Sequence, residues 1–384
     1  MGLLPKFNHF NLELLNPSFD SDLVDVLTEL ELLRHSKFET EVNPLIFKQI
    51  KNIFHKLESL GSARIEGNHT TLDDYVDSKL TENTQTEQLK EIDNIENALK
   101  FIDDHFHVGE HITEHFIKEI HQLTVHNLKF EGDKTPGAYR QQPIRISGSS
   151  HLPPDHIHIP TYMNELITFI NQVDKPKYDL MKIALAHHRF GWIHPFSNGN
   201  GRTVRLITYA LLVKYGFNVK VSGRVLNPTA VFCNDRESYY SMLSEADKGT
   251  SEALEKWCFY VLSGILTELN KLDKLSNRDY LRKEILKPAL DYVSKMGLIE
   301  SDIQMKILLH VIDQETTKTG DIKTIFPNMK SSQITYQIGK LVDSKLLKPI
   351  EDGARTYTLR ITDSALFKGV ILSLRDAELI KDFN

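Results

Sequence analysis

The chain has 384 residues, 40% hydrophobic and 26% charged, with 46 basic against 52 acidic side chains and a net charge of −6. This length accommodates two or three domains, and the balance is that of an ordinary globular protein that does not coat nucleic acid or an anionic membrane by bulk charge. No stretch is apolar enough to span a bilayer or serve as a leader, and Cys233 and Cys258 have neither metal-site nor disulfide spacing, so a cytoplasmic protein without membrane contact is expected.

Asn16-Pro17 and Ser21-Asp22 are turn and cap signals, after which Leu23, Val26, Leu27, Leu30 and Leu33 recur at helical spacing. A second helix begins at Pro44 and carries Leu45, Ile46, Ile50, Ile53, Phe54 and Leu57 as far as Gly61. Ser62 to Asn68 follows as a short helical turn, with Ser62 and Glu66 on one face and Gly67 or Asn68 closing it. A helix restarts near Thr71, the polar run Thr81 to Gln88 reads as a loop, and helices are expected over 91–104 and 112–128, with Glu87, Glu91 and Lys100 as solvated surface. His105, His107 and His111 fit no zinc spacing. After Gly132 the chain turns at Pro136-Gly137, and Pro143 to Ser150 alternates as a short hairpin does. His151, His156 and His158, set among prolines, read as a structured loop rather than a metal site. Helices over 160–173 and 178–193 lead to the stretch on which the function turns.

That stretch is His194-Pro195-Phe196-Ser197-Asn198-Gly199-Asn200-Gly201-Arg202-Thr203-Val204-Arg205. An apolar helical pattern begins at Val204, so Gly199-Asn200-Gly201 lies at a helix N-terminus, where unpaired N–H groups and the helix dipole make an anion seat. Arg202 and Arg205, three apart, project from one face to grip phosphate oxygens, and His194 stands beside them to take a proton from an attacking group. The string resembles the Fic signature, His-x-Phe-x-Asp/Glu-Gly-Asn-Gly-Arg-x-x-Arg, at every fixed position except Asn198, which replaces the acidic residue. Ser62 to Gly67 is similar to the inhibitory motif of the same family, Ser/Thr-x-x-x-Glu-Gly/Asn, in its N-terminal position.

The resemblance implies a mainly α fold, a Fic-type helical bundle with a short β-hairpin flap. It implies transfer of AMP from ATP to a Tyr, Ser or Thr hydroxyl of a target protein, with His194 as catalytic base. Gly199, Asn200, Gly201, Arg202, Thr203 and Arg205 would then take the nucleotide phosphates. Ile146, Ser147, Gly148 and Ser149 of the flap would border nucleotide and target, Tyr239 and Tyr240 would lie along the nucleotide, and Asp247 would lie near the base. Glu66, with Ser62 and Gly67 completing its motif, would pair with Arg205 and act as a brake. The family carboxylate holds Mg²⁺. Asn198 offers only an uncharged amide oxygen, so weak metal binding and a slower or Mn²⁺-dependent reaction are expected. Two alternatives follow from Asn198: removal of AMP from a target, or a nucleotide-sensing regulator with a silent site.

Leu254, Trp257, Val261, Ile265 and Leu269 mark a helix that closes the bundle, and the charge-dense run 271–284 reads as a linker or connecting helix. The remaining rhythm is that of a winged helix-turn-helix, with helices around Ile303–Ile312, Ile322–Phe326 and Ser331–Val342, and a wing from Leu347 to Arg360 turning at Asp352-Gly353. Ser331, Gln333, Tyr336 and Lys340 would face a groove. The region is only slightly basic, which leaves DNA and a docked protein equally open as its partner. The expected divisions are residues 1–95, a helical region with the inhibitory helix; 96–270, the catalytic core; and 271–384, the linker and winged helix. A homodimer through the catalytic domain is expected by analogy.

Overall fold

The computed structural model describes residues 7–35, 40–80, 86–217 and 228–381. Residues 7–21 precede α1 (Asp22–His35), which has Asp22 and Asp25 in its first turn and Arg34 and His35 in its last, each complementing the helix dipole. The central helix is α2 (Pro44–Ile65), started by Asn43, whose side chain accepts the Leu45 N–H, and by Pro44 at its first position. Its expected end at Gly61 is four residues early. The helix runs on because Gly61 faces Cys233 Sγ, 3.3 Å from where a Cβ would stand, so the glycine serves close packing rather than termination. Ser62 and Glu66 therefore belong to the last turn and C-cap of α2.

Next come α3 (Leu72–Leu80), α4 (Glu87–His105) and α5 (Glu114–Thr124). Residues 81–85 of the expected loop lie outside the described residues, and α4 starts earlier than expected because the Thr86 side chain caps it. α6 (Ile159–Asn171), α7 (Asp179–Ile193) and α8 (Asn200–Lys214) follow, α8 being enclosed by α2, α4, α5 and α7. α9 (Thr229–Cys233), α10 (Arg236–Ala246) and α11 (Ser251–Leu272) complete the bundle. The expected hairpin over 143–150 is a turn in which Ser149 N–H donates to Ile146 O at 3.2 Å, with Gly148 at φ +74°, and no strand ladder forms there. An isolated two-stranded hairpin is marginal in water, and Ile144 and Ile146 are only half-buried.

Of the two expectations for the charged segment after α11, linker or connecting helix, the second is what forms. Leu275 and Leu281 are buried within it and Ile285 just beyond it, and a π-helical turn, Leu281–Leu286, joins α12 (Arg278–Tyr280) to α13 (Lys287–Lys295). Then come α14 (Asp302–Gln314), β1 (Thr316–Lys318), α15 (Thr319–Ile325), α16 (Ser331–Asp343), β2 (Leu347–Pro349), β3 (Thr356–Leu359) and α17 (Ala365–Asp376). The small antiparallel sheet has order β1-β3-β2, with Thr317 opposite Tyr357 and Lys348 opposite Thr358. Gln49 of α2 ties it to the bundle: its Nε2 donates to Leu359 O at 2.9 Å, and its Oε1 accepts Ile361 N–H at 2.8 Å. The fold is mainly helical, with one continuous apolar core. No helix among the described residues is long and apolar enough to cross a membrane.

Candidate functional site

α7 stops at Ile193 because His194 takes a left-handed conformation, φ 51°, and sends the chain into the loop that leads to α8. Gly199 ends this loop at φ +75°, with Val125 Cγ1 2.7 Å from the position of an added Cβ, so both conformation and space require glycine. Nearly every peptide group in the loop has an assigned partner. Arg140 donates Nε to His194 O and its own N–H to Pro195 O, both at 2.9 Å. The Asn200 side chain accepts Phe196 N–H at 2.9 Å and donates to Phe196 O at 2.8 Å. Asp133 Oδ2 accepts the N–H groups of Ser197 and Asn198 at 3.2 and 3.3 Å, and His121 Nε2 lies 3.0 Å from Asn198 O. Phe196 is buried with its ring stacked on His121, centroids 3.7 Å apart.

His194 Nδ1 donates to Gly191 O at 3.2 Å, which leaves Nε2 carrying the lone pair. Burial pushes the His194 pKa down to about 4, against the opposing Gly191 bond and Glu66 charge, so the imidazole is neutral at pH 7. Arg205 is buried between α8 and α2. Its Nε donates to Ser62 Oγ and its Nη2 to Ser62 O, each at 2.9 Å, and Nη2 also meets Glu66 Oε1 at 2.8 Å. Gly67, at φ +105°, turns the chain away directly after this contact. Burial disfavours the Glu66 charge, yet Arg205 and Arg202 hold its carboxyl below the usual range. An added Cβ at Gly201 would collide with Glu66 Oε1, so the carboxylate rests against the first turn of α8, in the anion seat itself. Arg205 Nη1, buried and 3.2 Å from that same Cβ position, has no hydrogen-bond partner among the described residues.

The two arginines do not act as a pair. Arg202, 1% exposed, donates Nη1 to Glu91 Oε1 at 2.7 Å and Nη2 to Glu131 O at 2.9 Å, turning toward α4. Asn200 is spent bracing the loop; Arg202 Nε and Thr203 Oγ1 are also buried without a partner among the described residues, and Arg205 Nη1 is the unpartnered donor found beside Gly201. The seat's other donors are backbone N–H groups of the α8 N-terminus.

Residues 111–212 match the family model described as Fic/DOC family. Over this stretch the chain is similar to that family. The protein adenylyltransferase Fic of Nematostella vectensis is 30% identical over 162 residues, covering 41% of this chain and 34% of that one. Its counterpart in Aedes aegypti is 28% identical over 207 residues, covering 52% and 37%. The matched region thus spans about a third of the length of these curated relatives. A crystal structure of a Fic family protein from Desulfovibrio desulfuricans G20 superimposes with a TM-score of 0.55 at 16% identity, covering 91% of this chain and 98% of that one, so the overall fold is shared.

Beyond the matched stretch, Tyr239 is buried and its hydroxyl lies 2.9 Å from His187 Nε2, whereas Tyr240 is 43% exposed, with its hydroxyl 3.4 Å from Ile65 O next to Glu66. Asp247 closes α10 and accepts from His188 Nε2 at 3.0 Å. Ile146 to Ser149 are half-buried or exposed, and His151 anchors the far end of the flap on Trp192 O at 2.9 Å. Asn198 does not suit Mg²⁺: its Oδ1 already accepts Gly199 N–H at 2.7 Å, its Nδ2 donates to Gly132 O at 3.2 Å, and it brings no charge. No group of three His, Cys, Asp or Glu among the described residues is placed to hold a metal.

Sequence reasoning passed over His121, Asp133 and Arg140, and placed Glu87 and Glu91 on the solvated surface. Glu87 Oε1 instead accepts the N–H groups of Lys129 and Phe130 at 2.7 and 2.6 Å, and Glu91 is 2% exposed, bonded to Arg202 and to Asn68 Nδ2. The signal for Glu91 was present, since Ile95, Ala98 and Ile102 continue its stripe at helical spacing into the core.

Proposed function

We propose that this chain is a self-restrained protein adenylyltransferase, moving AMP from ATP to a Tyr, Ser or Thr hydroxyl of a target protein. The observation that carries this reading is the Glu66 carboxylate seated on Gly201 and Arg205: an anion already fills the place where a phosphate would bind. With Glu66 displaced, Arg205 and the α8 N-terminus receive the terminal phosphates. His194 Nε2 accepts the hydroxyl proton as the oxygen bonds to the α-phosphorus, the bond from that phosphorus to the bridging oxygen breaks, and pyrophosphate leaves with the charge that Arg205 and the helix dipole stabilise. A neutral imidazole is the form this role needs. Ser62 holds Arg205 for both partners, and Gly67 lets the chain leave the site.

Asn198 favours a second reading, in which transfer is slow and the site removes AMP or senses nucleotide. The division of labour we propose is regulation by residues 1–95, transfer by 96–270, and partner binding by 271–384. In that last region α14, α15, α16 and the three-stranded sheet serve as a winged helix-turn-helix, with DNA or a protein against the exposed face of α16.

The test is label transfer from α-labelled ATP to protein by wild type, Glu66→Gly, His194→Ala and the double variant. Glu66→Gly should raise transfer ~10-fold or more, worth ~1.4 kcal/mol of differential binding, and His194→Ala should abolish it on either background. Intact nucleotide binding with no label in Glu66→Gly sinks the transferase reading.

A further inference from the structure

We infer that Asp133 and His121 are positioning residues for transfer: they clamp the two ends of Asn198, so that the loop between His194 and α8 keeps one conformation and the N–H groups that open α8 stay turned to the anion seat. The inference rests on the transferase reading above.

The Asp133 side chain is fully buried, where a carboxylate is costly unless its oxygens are satisfied. Four donors satisfy it. Oδ2 accepts Ser197 N–H and Asn198 N–H at 3.2 and 3.3 Å, and Oδ1 accepts Thr135 N–H at 2.8 Å and Thr135 Oγ–H at 3.2 Å. His121 completes the clamp from α5. Gly137 N–H donates to its Nδ1 at 3.0 Å, which fixes the ring proton on Nε2, and Nε2 donates to Asn198 O at 3.0 Å. Burial pushes this ring down to about pKa 4, so the tautomer persists at neutral pH. Its face lies on Phe196 within 1° of parallel.

The N–H groups of residues 197 and 198 are thereby turned into Asp133 and away from the seat, while those that open α8 remain for an anion. Neither clamp residue belongs to the signature, and neither reaches the cleft, since both side chains are 0% exposed. Reacting groups must be held within a fraction of an ångström, and a misplacement of about 1 Å costs on the order of 10²-fold in rate. Loss of the clamp should therefore lower kcat more than it raises KM for ATP.

The experiment uses the full chain with Glu66→Gly as parent, and measures kcat, KM for ATP and thermal melting for Asp133→Asn, His121→Ala and His121→Gln. Asp133→Asn is isosteric, but it sets an amide N–H₂ against one pair of N–H donors. It should lower kcat ~10²-fold, with KM within ~3-fold of the parent. His121→Ala should fall similarly, and His121→Gln, which keeps a donor toward Asn198 O, should recover ~10-fold of that loss. Parental kcat in both Asp133→Asn and His121→Ala overturns the clamp while leaving the transferase reading intact. If Asp133→Asn does not fold, the His121 pair decides alone, equal rates for Ala and Gln overturning it. A parent without label overturns both readings.

Discussion

On the proposed reading, the Glu66 carboxylate sits where a phosphate would bind and Asn198 brings an uncharged amide where a carboxylate would hold a metal, so the two weigh against transfer by different physics. Glu66 acts by occupancy. Its contact with Arg205 uses the buried guanidinium that a terminal phosphate needs, and its place against Gly201 uses the space. Asn198 acts by missing charge, with its one oxygen turned to Gly199 N–H. Asn198→Asp keeps that acceptor, gives up the bond to Gly132 O, worth about 1 kcal/mol, and adds a hard anionic oxygen. In a Glu66→Gly background, Asn198→Asp should therefore make label transfer rise several-fold as Mg²⁺ is titrated, while the Asn198 parent responds little. Equal Mg²⁺ responses in the two proteins would show that position 198 does not set the metal dependence.

α2 carries both the proposed brake, Glu66, and a buried carboxylate, Glu58, whose two oxygens receive Thr229 N–H at 2.9 and 3.1 Å at the start of α9. Burial raises the Glu58 pKa to about 8, outweighing the Thr229 bond and the Arg205 charge. Between the unfolded pKa near 4.5 and that value, the native chain holds a proton the unfolded chain has released, so this group's stabilisation is complete below the window and is lost as pH rises through it. Glu58→Gln removes the titration, and its urea midpoint should gain on wild type between about pH 5 and about pH 9. Parallel midpoints would mean that Glu58 ionises as an ordinary carboxyl. Elements of this kind were legible where apolar spacing and local caps agree, as at α14, expected around 303–312 and found over Asp302–Gln314 behind the Ser301 cap; at α16 the apolar spacing held, but the cap is Lys330 rather than the expected Ser331-Ser332. They were misjudged where a long-range contact overrides the local signal, as where Cys233 lets α2 pass Gly61. The site divides in the same way. The signature and the Glu66 motif are continuous strings, whereas Arg140, Asp133 and His121 reach their loop partners across 54, 64 and 77 residues, a distance no local pattern reports.

Across the whole molecule, histidines sit at seams between helices. His55 joins α2 to Tyr209 of α8 at 3.2 Å, His187 joins α7 to Thr208 and Tyr239, His121 braces the loop, and His151 anchors the flap. Burial pushes His55, His121 and His194 down to about 4, His187 well below its usual value, and His151 downward too. An unfolded histidine takes its proton near pH 6.5, so between there and about pH 4 the unfolded chain binds protons that the native chain refuses. The stabilisation is complete above pH 6.5 and is lost as pH falls through the window, with a slope of about 1.4 kcal/mol per pH unit for each net proton. Glu58, Glu91 and Glu268, all raised by burial, pull the other way from about pH 4.5 upward, but three carboxyls oppose five imidazoles and the histidines set the sign. Urea midpoints should therefore fall steeply from about pH 6.5 to about pH 4.5, while the transfer rate of folded Glu66→Gly stays level down to about pH 5.5, where His194 is still mostly neutral. Constant midpoints across that range would mean that the native helices carry these imidazoles charged, and the base assigned to His194 would then start from the wrong protonation state.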